Sequence, residues 1–238
     1  MSMNAIIPCC CGNRSLVCHE NWGQLPGMAL TFWDYYLMTL PNWELIEPAH
    51  VGDQICGIDE VGRGAWAGPV VAAAVILPFG VQLDGLRDSK LMTPASRLRL
   101  DRAVRRTALA VGIGWVDARE VDAEGLSWAV RRSGERALAA MDADFDLVIL
   151  DGNWNYLAHE PRARVVIKGD ALVTPVAAAS VIAKVARDRY MWMADAAYPG
   201  YGHAAHKGYG TANHRRALSD LGATPFHRMS YAPLRALS

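Results

Sequence analysis

The sequence predicts a mixed α/β fold, with one sheet whose strands are antiparallel at first and parallel later, and helices on both faces. Three observations predict it. Two apolar runs, 55–58 and 69–77, flank a glycine-rich turn, which is the pattern of a hairpin. Beyond residue 93, capped helical stretches alternate with apolar runs. Two of those later runs, 146–150 and 164–167, are short and continuous, as strands buried on both faces of a parallel sheet are.

Taken in order, residues 1 to about 50 stand apart: cysteines come first, then Trp22, Trp33, Tyr35, Tyr36 and Trp43 among prolines and glycines, without periodicity. A loosely packed extension, a partner-binding arm, or translated sequence ahead of a later start at Met28 or Met38 would each account for them. The first regular element is Ile55 to Ile58, which delivers the adjacent acids Asp59 and Glu60 into Val61-Gly62-Arg63-Gly64. The run Pro69 to Leu77 follows; its alanines suit a helix or a strand, and the glycines before it favour the hairpin. Thr93-Pro94 is a helix cap followed by proline at the first helical position, and Leu98, Leu100, Val104 and Leu109 continue that helix. Its arginines, Arg97, Arg99, Arg102, Arg105 and Arg106, read as a solvated basic face before they read as phosphate contacts. Residues 111–116 alternate as a third strand, and a helical stretch runs from about Ala118 to Ala140 with a weak point at Gly125. The buried-strand run 146–150 ends in Asp151-Gly152, and the run 164–167 ends in Lys168-Gly169-Asp170. Thr174-Pro175 opens a long alanine-rich helix over 176–197, stopped by Pro199-Gly200. A basic, aromatic-bearing segment closes the chain. The expected organisation is an N-terminal extension (1–50), a catalytic domain (51–198) and a C-terminal appendage (199–238).

Composition narrows the class. Of the 238 residues, 52% are hydrophobic and 20% charged, as in ordinary globular proteins, and the formal net charge of zero announces no polyanion partner. No apolar stretch reaches membrane-spanning length, and residues 1–30 lack the pattern of a secretory leader, so a cytoplasmic protein is expected. Four of the five cysteines lie in the first twenty residues, which suits a reducing compartment better than a disulfide framework, and Cys11, Cys18 and His19 match no standard zinc spacing.

The chemistry lies in four acids. Asp59 and Glu60 stand on the first strand, Asp151 at the end of a buried strand and Asp170 just past another; in open α/β sheets, ligands gather outside the carboxyl ends of strands. Such a cluster repels itself unless a cation compensates, and oxygen-only donors favour Mg²⁺ or Mn²⁺ over zinc. Two such ions roughly 4 Å apart clamp the attacking and leaving oxygens of a phosphoryl displacement. One difficulty stands against this reading. Neighbours on a strand point to opposite faces, so Asp59 and Glu60 share a centre only if the strand distorts or the site wraps its end.

The ordered motifs Gly57-Ile58-Asp59-Glu60-Val61-Gly62-Arg63-Gly64, Gly68-Pro69 through Val75, Asp88-Ser89-Lys90, Asp151-Gly152, Lys168-Gly169-Asp170, Ala177 through Ser180 to Ala183-Lys184 and Arg187-Asp188, and His206-Lys207-Gly208-Tyr209-Gly210-Thr211 resemble those of bacterial ribonuclease HII, from about Val51 almost to the C-terminus. The resemblance implies a ribonuclease H-like fold. It further implies hydrolysis of the RNA strand of RNA–DNA hybrids and incision 5′ to single ribonucleotides in duplex DNA, leaving 3′-hydroxyl and 5′-phosphate ends, by a monomer using Mn²⁺ or Mg²⁺. By motif, Asp59, Glu60, Asp151 and Asp170 match the catalytic metal ligands; Gly62, Arg63 and Gly64 match the turn that reads the ribose 2′-hydroxyl; Tyr209 matches the tyrosine that packs on deoxyribose at the junction; and Lys184 matches a lysine near backbone phosphate. Two features depart from the pattern: Leu91 stands where the family commonly has a second lysine, and the first fifty residues exceed the usual lead-in.

Plain readings compete with these. Asp188 beside Arg187 and Arg189 reads as an ion-pairing residue, and His203, His206, His214 and His227 read as polar surface groups of a basic tail. Two other functions fit the same acids: a non-catalytic hybrid-binding module with an occluded metal site, and a ribonuclease H-like nuclease or strand-transfer enzyme acting on DNA alone, against which the Gly-Arg-Gly turn argues.

Overall fold

Strand β1 (Ile55–Val61) occupies the centre of a five-stranded sheet of order β3-β2-β1-β4-β5. This is a computed structural model; it describes residues 54–86, 89 and 92–236, so the readings of residues 1–53 and of Asp88, Lys90 and Leu91 lie outside the described residues. Strands β2 (Val70–Ile76) and β3 (Ala110–Val116) extend the sheet antiparallel from β1, while β4 (Leu147–Asp151) and β5 (Ala163–Val166) extend it in parallel on the other side. The predicted antiparallel-then-parallel order is thus the observed one. The described residues all fall in one compact unit, the C-terminal segment included, and no described helix is long and apolar enough to cross a membrane.

The sheet is sandwiched, and its small residues explain how closely. On one face, Cys56, Ile58, Ala72 and Ala74 pack with Ala129, Val130 and Ala137 of α3 (Leu126–Met141). On the other, Ala73 and Val75 pack with Ala178, Ala179, Ile182 and Ala183 of α5 (Thr174–Ala197). A Cβ at Gly112 or Gly114 of β3 would stand 2.0 Å from a carbonyl oxygen of α3, and one at Gly57 would stand 2.2 Å from Pro175 C of α5. The alanines of β2, which periodicity left between helix and strand, are strand residues because both faces are covered by close helices.

Local signals explain most helix limits. In α1 (Pro94–Thr107), the Thr93 hydroxyl accepts from Ser96 N–H and proline stands at the start, as expected. The stretch from Ala118 to Met141 is two helices, α2 (Ala118–Glu124) and α3, because Gly125 at φ 85° breaks it and an Asp117–Glu120 capping box starts the first. At α5 the expected threonine cap is absent. Thr174 is the first helical residue and Val173 the cap, since the short helix α4 (Gly169–Leu172) runs directly into it, with Val173 N–H bonded to Gly169 O.

The C-terminal segment, with α6 (His203–His206), α7 (Ala212–Leu221) and α8 (Ala232–Arg235), folds back on the 62–69 turn through a bridge between Ala67 and His227. Here the surface reading of the histidines is corrected: His203, His214 and His227 are buried and pack ring to ring with His206, Tyr201 and Phe226. Their hydrogen bonds assign one set of neutral tautomers. Carbonyls only accept, so His206 donates from Nε2 to Tyr201 O (2.7 Å) and His214 from Nδ1 to Tyr209 O (3.0 Å). His227 Nδ1 accepts from Thr224 N–H (3.0 Å), which leaves its Nε2 to donate to His214 Nε2 (3.1 Å). Neither ring nitrogen of His203 has a hydrogen-bonding partner among the described residues.

Burial pushes His203 down to about 3 and His214 to about 4, and lowers His227 as well. Each is therefore neutral in the fold but takes up a proton in the unfolded chain below the ordinary value of 6.5. The unfolded state binds more protons under that pH, so stability is full above about pH 6.5 and falls on acidification, by up to roughly 1.4 kcal/mol per pH unit for each such histidine. Denaturant titrations at pH 7 and pH 5 should show this loss. His203→Phe should reduce the slope and, by removing two partnerless buried nitrogens, stabilise the fold at pH 7 by roughly 1–3 kcal/mol.

Candidate active site

Register brings the first and third acids together. The parallel pairing of β1 with β4 sets Ile58 beside Leu150, so Asp59 and Asp151 follow on neighbouring strands. Both share the side of the sheet on which Ile55 and Ile149 meet Val176 of α5. Asp170, in α4, lies next to them: its N–H donates to Asp151 Oδ1 at 3.4 Å, and a Cβ at Gly169 would lie 3.5 Å from that same oxygen. Asp59 is buried and its Oδ1 accepts from Glu60 N–H at 2.7 Å.

Glu60 shares the parity of Ile58 and points to the opposite side, into the core that holds Tyr156. Strand β1 keeps regular pairing with β2 through Val61, so the strand is not distorted at the two adjacent acids and they face opposite sides of the sheet. Oε1 of Glu60 accepts from Arg63 Nη1 at 3.0 Å, while Oε2 is buried without a partner at hydrogen-bonding distance among the described residues, as is the Tyr156 hydroxyl that faces this region. Burial raises the Glu60 carboxyl above the ordinary range; the Arg63 bond opposes this and the Asp151 charge adds to it. Tyr156 is pushed up by burial and then by Glu60, Asp59 and Asp151, so its ring lies in the field of three of the four acids.

Among the described residues, His203, His206 and His214 form a trio whose ligand atoms all lie within 4.8 Å of one another. The histidine trio is a poor metal site. The rings of His206 and His214 are stacked at 4.3 Å, and their lone pairs already accept from Gly208 N–H and from His227. The carboxylate set fits a hard divalent cation better: its donors are all oxygen, and one of them, Glu60 Oε2, is buried without a partner among the described residues.

Beside the acids lies the 62–69 turn, tied main chain to main chain to the loop that carries Tyr209. Trp66 N–H and Ala67 N–H both reach Gly208 O (2.8 and 3.3 Å), and Gly68 N–H reaches Phe226 O (2.9 Å). Gly62 adopts φ +96°, where a Cβ would lie 2.4 Å from Arg187 Nε and 2.7 Å from Pro69 O; around Gly64 nothing comes within 4 Å of an added Cβ. The side chain of Arg63 is half exposed. Tyr209 is exposed at the rim, with the Arg187 guanidinium 5.6 Å from its ring centre.

Lys184 is set further along α5, where Nζ donates to Asp188 at 2.7 Å and burial lowers its pKa. The ion-pairing reading of Asp188 holds, although its partners are Lys184 and, at 4.0 Å, Arg97 rather than its sequence neighbours. Arg97 also donates to Ser89 O and Met92 O, and the Ser89 hydroxyl meets that of Ser180, which fastens this loop to α5. Sequence reasoning missed Arg187 and Arg228, both fully buried. Arg187 carried a signal: it stands four residues after Ala183 and four before Met191, on the buried stripe of α5. Arg228, in an aperiodic tail, carried none.

A family model described as ribonuclease HII matches residues 56–234. The chain belongs to the ribonuclease HII family. It is 45% identical over 183 residues to ribonuclease HII of Streptomyces avermitilis, covering 77% of this chain and 78% of that protein, and 45% identical to ribonuclease HII of Dichelobacter nodosus, covering 77% and 96%. Among solved structures, ribonuclease H2 of Pyrococcus horikoshii shares the fold with a TM-score of 0.64 at 22% identity, covering 77% of this chain and 96% of that one. A Bst ribonuclease HIII determined in complex with Mn²⁺ does so at 0.57 and 20%, covering 78% and 70%. Membership of the ribonuclease HII family makes the chain a divalent-metal-dependent endoribonuclease of RNA–DNA hybrids.

The two glycines of the turn should behave differently. Gly62→Ala meets both strain at positive φ and a clash, and should lower stability by more than about 1 kcal/mol. Gly64→Ala should leave it within roughly 0.5 kcal/mol. Thermal melting of the two variants checks this.

Proposed function

We propose that Asp59, Glu60, Asp151 and Asp170 hold the divalent ions of this ribonuclease, and that the turn at Gly62–Gly64 selects the ribonucleotide beside them. The observation that carries the reading is the meeting of Asp59 and Asp151 on adjacent parallel strands, with Asp170 N–H on Asp151 and the glycine turn directly beyond β1. Bound Mn²⁺ or Mg²⁺ would activate water and offset the charge that builds on the phosphate in in-line hydrolysis, leaving 3′-hydroxyl and 5′-phosphate ends. Mn²⁺ has support from the related ribonuclease HIII determined with that ion.

The protein's own residues position the substrate. The open space at Gly64 lets main chain approach a ribose, and the 2′-hydroxyl, which both donates and accepts, is the group by which protein tells RNA from DNA. Tyr209 offers an exposed ring face at the same rim, suited to packing on the deoxyribose at an RNA-to-DNA junction. Lys184 would reach a phosphate by exchanging its bond to Asp188 for one to the backbone. On this reading the substrates are long hybrids and duplex DNA carrying single ribonucleotides, the latter cut on the 5′ side.

A duplex with one embedded ribonucleotide, incubated with either metal, should be cut once, 5′ to that residue; binding without any cut would overturn the reading. Asp151→Asn keeps shape while removing charge. It should weaken Mn²⁺ binding in calorimetry and slow cleavage by roughly 100-fold or more, about 2.7 kcal/mol of transition-state stabilisation, with hybrid affinity nearly unchanged. Equal loss of binding and cleavage would count against a metal role. Gly64→Ala, although well folded, should lose roughly tenfold in affinity for the ribonucleotide duplex, measured by titration.

A further inference from the structure

Two guanidiniums stand where the metal chemistry does not use them. Arg187 and Arg228 are both 0% exposed, and every hydrogen bond found for Arg187 goes to a main-chain carbonyl: Nε to Pro69 O (2.8 Å), Nη2 to Ala67 O (3.1 Å) and Nη1 to Lys207 O (2.9 Å). Arg228 donates from Nη1 to Gly62 O (2.7 Å) and Arg63 O (3.0 Å), and from Nε and Nη2 to Gly68 O (3.0 and 2.8 Å). Its Nη1 also reaches the Tyr231 hydroxyl, which itself donates to Arg63 O at 2.6 Å. A buried charge with neutral partners, and no carboxylate among them, is expensive to build. What it achieves is geometric: a planar fork of fixed donors sets several carbonyls at once, which a lysine cannot do.

Those carbonyls belong to two segments only. Arg228 grips the 62–68 turn at both ends, and Arg187 grips 67 and 69 together with Lys207, two residues before Tyr209. Each carbonyl fixed this way also fixes the peptide N–H that follows it, including those of Arg63 and Gly64. Resting on the ribose-reading role assigned to this turn, we infer that Arg187 and Arg228 are positioning residues for substrate selection. Arg228 holds the turn in the conformation that discriminates the 2′-hydroxyl, and Arg187 sets that turn at a fixed distance from the Tyr209 loop, so that ribose and the following deoxyribose are read as one step.

The test uses the full chain and three variants, R228K, R187K and Y231F, with two readouts that simple loss of folded protein would not move. In metal-free buffer, the wild type should bind a duplex with one ribonucleotide more tightly than the same duplex without it. R228K should bring this affinity ratio down by roughly tenfold, towards equality, with the all-DNA affinity little changed. Hydrogen exchange at the amides of 65–68 should accelerate in R228K while that of β2 stays slow; R187K should accelerate exchange at 67–68 and at 208–209. Y231F, removing one strut, should show a smaller change of the same sign, and it carries the test with R187K if R228K does not fold. Unchanged exchange at 65–68 in the folded variants, or an affinity ratio that lysine fully preserves, would overturn the inference. If the wild type binds both duplexes equally, the ribose-reading role itself fails, and exchange alone then decides whether the arginines hold the turn.

Discussion

At Gly57 the first turn of α5 lies against β1 with no side chain between them, since an added Cβ would stand 2.2 Å from Pro175 C and 2.3 Å from Val176 N. Much of the site depends on that contact. It buries Val176 against Ile55 and Ile149, and it sets α4 and Asp170 beside the end of β4. From there α5 runs on across β2, and about 20 Å further along it carries Arg187 to the 62–69 turn. One helix thus connects the α4 turn that carries Asp170 with the 62–69 turn. On the other face, Gly112 and Gly114 allow α3 an equally close approach, which leaves β1 enclosed up to its acidic end.

The charges of the molecule are divided by task. The acids gather at the ends of parallel strands, where Arg63 pairs with Glu60 and burial raises the Glu60 carboxyl. Such a set is unfavourable alone and suited to divalent cations. The two buried guanidiniums are spent on main chain instead. Burial pushes Arg187 down only to about 10, so it stays charged at neutral pH, and charge-assisted bonds of this kind contribute roughly 1.5–3 kcal/mol each. The histidines below Tyr209 do the reverse: they are buried neutral, and their single consistent set of tautomers links the 206–214 loop to Thr224 and His227. Acid therefore weakens the support of the 206–214 loop as the unfolded chain takes up protons on these histidines.

Similarity to the Pyrococcus ribonuclease H2 at 22% identity shows how little of the sequence the fold itself requires. In this chain the fold's demands are visible as small residues at helix contacts, at Gly57, Ala72 to Ala74, Gly112 and Gly114. The three glycines tolerate few alternatives because their nearest neighbouring atoms are backbone, which has nowhere to move.

The sequence by itself determined the order and type of the strands, the cap at Thr93 and the break at Gly125, because each follows from local periodicity or cap chemistry, and its motifs singled out the four acids as candidates. It also posed the question of how Asp59 and Glu60 share a centre without answering it. The tertiary structure decided where the two point: β1 stays regular, Asp59 stands beside Asp151 on one side of the sheet, and Glu60 faces the other. It also decided the fate of the polar residues in the tail. Nothing within a few residues of His203, His214 or Arg228 announces burial, because the partners Phe226, His227, Gly62 and Gly68 come from separate segments of the chain. Periodicity reports only which face of an element is apolar; which charges the fold encloses depends on contacts between segments far apart in sequence.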